Sequence, residues 1–173
     1  MNLPLTSSGS HSRRPRLVAW TLALGATLLL AVLAVAPPHV PEGLRGAIMH
    51  GFHLACHQQP DRSFAIHGIA WALCHRCAGI LGGLLLGLLT TRSITTSAQA
   101  LYIRGLRKPL LIGTIALVSL DWTLGAVGVY DLVATRIITG ALFGCIAGLV
   151  LGEGLAWGHV RDGVGEQGIG DRG

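Results

Sequence analysis

Four stretches of the chain are almost free of charge, and proline-rich, polar or basic segments separate them. A bilayer core of about 30 Å takes about 20 apolar residues in helical form. The pattern therefore predicts an all-α, polytopic membrane protein, a bundle of four transmembrane helices with spans near residues 17–36, 66–89, 109–129 and 132–157. Residues 1–16 and 158–173 read as polar tails, leaving no room for a second domain. The first span is expected to be retained: Arg13-Arg14 and Ala34-Val35-Ala36 resemble a twin-arginine start and a small-residue cleavage site, but the apolar run is too long for a signal-peptide core.

The connections are also patterned. Pro37, Pro38 and Pro41 stop the first helix, because proline lacks an amide donor and clashes with the preceding turn. From Gly43 to Gln58, Leu44, Ile48, Phe52 and Ala55 recur at helical spacing while His50, His53 and His57 fall elsewhere. That predicts a short interfacial helix ended by Pro60. Residues 90–108 read as a polar loop, with or without a surface helix. Gly79, Gly83 and Gly87 in the second span, and Gly140, Gly144, Gly148 and Gly152 in the fourth, repeat at every fourth position. This is the spacing of close helix packing in lipid, available within one chain or to a homo-oligomer.

Composition supports the membrane reading, with 51% hydrophobic and only 12% charged residues. The net charge of +5 does not indicate nucleic acid, since the basic residues are scattered at segment ends and form no patch. The two tails and residues 90–108 hold nine of the 13 lysines and arginines. The positive-inside rule then puts both termini in the cytoplasm of a multi-pass plasma-membrane protein, with residues 37–65 outside. Thiols on that side meet oxidising conditions.

The reactive side chains are concentrated at this outer end. Cys56-His57-Gln58 and Cys74-His75-Arg76-Cys77 contain three of the four cysteines. Cys74-x-x-Cys77 suits either a chelating pair or a redox dithiol. Cys56 and His57 add donors that complete a four-coordinate set with Cys74 and Cys77; His53 or His75 are substitutes for His57. Cys145, deep in the fourth span, reads as a small apolar packing residue. Asp121 and Arg136 lie in apolar spans, where a charge costs about 2.5 to 3.5 kcal/mol. They are expected to form an intramembrane polar pair or to serve a proton or ligand site.

Cys56-His57-Gln58, Arg62-Ser63-Phe64, Gly68, Leu73-Cys74-x-Arg76-Cys77-x-Gly79-Ile80, Gly83, Asp121 and Arg136-x-x-Thr139-Gly140 together resemble the bacterial and archaeal membrane proteins called domain of unknown function 2085. The resemblance runs from about Phe52 to Gly152 and implies a small multi-span protein whose polar motifs include Gln58, Arg62, Ser63 and Arg76. It brings no activity with it. Three functions remain open: a metal site holding zinc or an iron-sulfur centre, a thiol-disulfide oxidoreductase using Cys56, Cys74 and Cys77 with a lipid-soluble quinone, and a small transporter or channel subunit. No nucleotide loop, serine triad or spaced carboxylate pair points to a hydrolase or kinase.

Overall fold

The structure, a computed structural model, describes residues 13–93, 97–128 and 132–157. Five α-helices and one β-hairpin follow in order: α1 (Arg13–Val35), α2 (Glu42–His53), β1 (Ser63–Ile66), β2 (Ile69–Cys74), α3 (His75–Ser93), α4 (Ser97–Ala126) and α5 (Val133–Trp157). Of the expected tails at 1–16 and 158–173, residues 1–12 and 158–173 lie outside the described residues, and α1 already begins at Arg13. Among the described residues, three helices are long and apolar enough to cross a membrane, through Leu17–Val35, Lys108–Ala126 and Val133–Leu155, while the apolar part of α3, His75–Thr91, is shorter.

α3 and α5 run parallel and form the closest pair. A Cβ added at Gly79, Gly83 or Gly87 would overlap backbone atoms of Ile137, Ala141 and Cys145, and one added at Gly140 or Gly144 would overlap the carbonyls of Arg76 and Ile80. Each glycine ridge is therefore the groove that accepts the other helix's backbone, and the pairing advances with sequence on both helices. The ridges meet inside a single chain, so an oligomer needs another surface. α1 lies along α3, where the Trp20 indole donates to the Leu88 carbonyl at 3.2 Å. α4 packs on α5 and leaves Ile112, Leu120 and Trp122 exposed, as a lipid-facing helix would.

Four sequence expectations need correction. The chain is mostly helical but not all-α. The second apolar run does not start as a helix at Ile66: residues 63–74 form an antiparallel hairpin, with Ala65 opposite Ala70, Ile66 opposite Ile69 and a register shift between Ser63 and Ala65. Its two turn residues, His67 and Gly68, have φ of 51° and 77°. Positive φ at both positions matches the right-handed twist of the flanking strands, so the turn chemistry outweighs the continuous hydrophobicity. The short helix expected at the interface ends at His53, not at Pro60, and Gln58 then takes a positive φ of 47°. The third span, placed at 109–129, belongs to a helix that begins at Ser97 and runs through Pro109 to Ala126. The lone missing amide of Pro109 falls beside Lys108, where polar and apolar halves of α4 meet.

Two adjacent glycines give a test of the α3–α5 contact. Gly83→Ala places a methyl against the Ala141 carbonyl and should destabilise by about 1–3 kcal/mol. Gly82 has nothing within 4 Å of its Cβ position, so Gly82→Ala should be neutral or slightly stabilising. Thermal unfolding in one detergent compares them; equal behaviour would contradict this packing register.

Candidate metal centre

The site lies where the loop after α2, the hairpin and the first turn of α3 converge with the end of α4 and the start of α5. Its geometry starts from backbone clamps. The Gln58 side-chain amide donates to the carbonyls of Met49 at 2.7 Å and Ala72 at 3.2 Å, joining α2 to β2. The Ser63 hydroxyl donates to the Gln59 carbonyl at 2.9 Å, and the Cys56 amide donates to Phe52 at 2.9 Å. Phe64 packs on Trp71 with ring centroids 4.9 Å apart and meets His75 edge-on at 4.5 Å, seating the hairpin on α3.

These clamps bring Cys56 of the loop, Cys74 at the end of β2 and Cys77 in the first turn of α3 together, with all three sulfurs within 4.8 Å of one another. Cys56 is buried in a small apolar cluster with Ala34 and Leu73. Even so, its sulfur accepts a hydrogen bond from the Cys74 backbone amide at 3.3 Å. All four cysteines are free of disulfides, and Cys145 lies apart in α5, where its backbone faces Gly83 and Gly87.

A cavity of about 410 Å³ opens beside the sulfurs, lined by all three cysteines, by Gln58 and by three arginines, Arg62, Arg76 and Arg136. His57 lines it too, but is exposed and outside the three-sulfur group. Of the substitutes, His53 is exposed on α2 and His75 is buried against Phe64. Gln58 and Ser63 act as clamps, as described above. A second cavity, of about 730 Å³ and almost entirely apolar, lies between α1, α2 and α3 and shares Ala55 and Cys77 with the first.

Asp121, expected to pair with Arg136, is buried on α4. An ion pair joins the Arg76 guanidinium of α3 to the Asp121 carboxylate of α4, whose side chains are 18% and 3% exposed. Arg136 is buried on α5, and its side chain lines the polar cavity. Arg76 follows Cys74 by two residues, so neutralising Asp121 and positioning the sulfurs use the same turn of α3. Sequence reasoning overlooked Trp122, which lines the cavity, and Glu153, a buried carboxylate near the far end of α5. A single acid inside an otherwise apolar stretch was the available signal for Glu153.

The ion pair makes a quantitative prediction. Asp121→Asn or Arg76→Gln alone breaks this buried ion pair and should cost about 3 to 5 kcal/mol. The double variant should lose less than the sum of the two. Denaturation in detergent measures all three; strictly additive losses would show that the two side chains do not interact.

An uncharacterized protein of Methanocaldococcus jannaschii is 50% identical over 38 residues, a match covering 22% of this chain and 24% of that protein. The match thus spans about a quarter of that relative's length. No solved structure matches the chain. The family described as Predicted membrane protein (DUF2085) matches residues 56–150, a segment that runs from the first site cysteine to Gly148 and beyond in α5 and includes Arg76, Asp121 and Arg136. The chain belongs to this family of membrane proteins.

Proposed function

We propose that Cys56, Cys74 and Cys77 hold a single metal ion, with zinc as the best fit, at the extracytoplasmic end of a four-span bundle. The carrying observation is the mutual approach of three sulfurs within 4.8 Å. Tetrahedral zinc with bonds of about 2.3 Å keeps its sulfurs about 3.8 Å apart, a spacing reached by small side-chain adjustments. A multi-iron cluster spreads its cysteines further, so a single ion is the better match. The fourth position faces the polar cavity. Three protein ligands with one open position is the pattern of zinc sites that bind a further molecule. His57, on the rim of that cavity, is not required in this reading.

The membrane arrangement supports such a site. The apolar part of α3 is 17 residues, or about 25 Å at about 1.5 Å per residue, somewhat short of a bilayer core. Arg76 sits level with Gly140, seven residues or about 10 Å below the start of α5. The hairpin and the loop after α2 complete this second span from the outer side, where irregular backbone is tolerated because protein surrounds it. α2 is then the interfacial helix, and both termini are cytoplasmic.

A second reading draws on the apolar cavity that Cys77 also lines. In it, two of the three thiols give two electrons and two protons to a quinone in that cavity, forming a disulfide and a quinol.

Two experiments test these readings. Elemental analysis of purified protein should find about one zinc per chain, lost in Cys74→Ser together with stability and retained in His57→Ala. Metal-free, fully folded protein with a quinone-responsive disulfide would favour the redox reading instead. For topology, reporter fusions at Gly43 and Ser97 should be active outside and inside the cell respectively; the reverse result would invert the orientation.

A further inference from the structure

The apolar cavity between α1, α2 and α3 meets the metal centre only at their common residues, Ala55 and Cys77. Every side chain that lines it is hydrocarbon except that of Cys77, and no hydroxyl, amide or charged group is among its described lining residues. A ligand with hydrogen-bonding groups would leave them unmet there. The cavity also lies at membrane depth: Leu30 and Leu33 belong to the apolar run Leu17–Val35 of α1, and Leu81 and Leu84 to the run His75–Thr91 of α3. α2 borders it through Ile48 and Gly51. Its volume of about 730 Å³ is about five times the roughly 150 Å³ that accommodates one benzene. Left empty, a space of this size would forfeit van der Waals contact along three helices, and walls without polar partners do not hold water.

The wall is hollowed on the α2 side. A glycine inside a helix costs stability relative to alanine, yet Gly51 stands within α2, lines the cavity and has nothing within 4 Å of its Cβ position. Ala47, one turn earlier, is small as well and lines the same space. We propose that this cavity holds one acyl chain of a bilayer phospholipid, packed between α1, α2 and α3 and reaching Cys77. An acyl chain is hydrocarbon along its length and matches the lining, whereas a quinone ring carries carbonyl oxygens for which the lining offers no donor. The chain comes from the surrounding bilayer, so no soluble ligand has to be captured. It covers Cys77 from the membrane side, and aqueous ligands then approach the three cysteines through the polar cavity. The claim is independent of the metal, since the chain fits whether the sulfurs carry zinc or not, and it competes with the quinone of the second reading for the same space.

Full-length protein is placed in nanodiscs of phosphatidylcholine, a fraction of which carries a diazirine at the middle of one acyl chain. After irradiation, adducts are mapped by peptide mass spectrometry. They are expected on Ile48 and Leu81 in the cavity, and on Ile112 and Leu120, which are exposed on α4 and serve as the reference. Gly51→Leu fills the cavity from an open position and should lower the Ile48 and Leu81 adducts, relative to the reference, by at least about tenfold, because overlap excludes the chain. Gly46→Leu makes the same change at another open position of α2 that does not line the cavity, and should leave the ratio unchanged. Thermal unfolding checks that both variants are as stable as the parent; Gly51→Met, with a more flexible side chain, replaces Gly51→Leu if leucine lowers the unfolding temperature. Cavity adducts that are absent, that persist when Gly51 is replaced, or that fall equally in Gly46→Leu overturn the proposal. So does their loss when decylubiquinone is added at a small fraction of the lipid, which assigns the cavity to the quinone. Zinc content, measured on the same samples, reports on the metal reading separately.

Discussion

The contact on which the rest depends is the backbone-to-backbone approach of α3 and α5. In lipid there is little hydrophobic gain in bringing two helices together, so close van der Waals packing must supply the affinity, and only glycine lets the axes come this near. Because both ridges face inward, the pair has one register and no freedom to slide by a turn without driving side chains into backbone. That register sets the height of Arg76, Cys77 and the hairpin relative to α5. Everything at the site is placed from this one interface.

Electrostatics then constrains the remaining helix. Asp121 is the only carboxylate described in the apolar part of α4, and burying it without a partner would be costly. Its pairing with Arg76 ties α4 to the same turn of α3 that carries Cys77. The polar cavity is consequently bounded by rigid helical ends on one side and by the clamped loop on the other. Gln58, bonded to both α2 and β2, prevents that loop from drifting away from the sulfurs.

Much of this was legible in the residues, and the exceptions have physical causes. The glycine ridges and the clustering of Cys56, Cys74 and Cys77 follow from periodicity and composition, which are local properties. The hairpin was hidden because Ile66 to Cys74 is as apolar as the helix that follows, so hydropathy alone cannot separate strand from span. The dipeptide His67-Gly68, flanked by Phe64, Ile66, Ile69 and Trp71, carried the turn signal. Pro109 misled in the other direction, since a proline in a long helix removes one hydrogen bond without ending it. The role of Arg76 depends on which face of α3 meets α4, and a one-dimensional pattern does not contain that.

The central claim is that three thiolates surround one ion at the head of α3. X-ray absorption at the zinc edge of purified, zinc-containing protein tests it most directly. A trithiolate site predicts a first shell of three sulfurs at about 2.3 Å with one lighter neighbour. A shell made only of nitrogen and oxygen would contradict it.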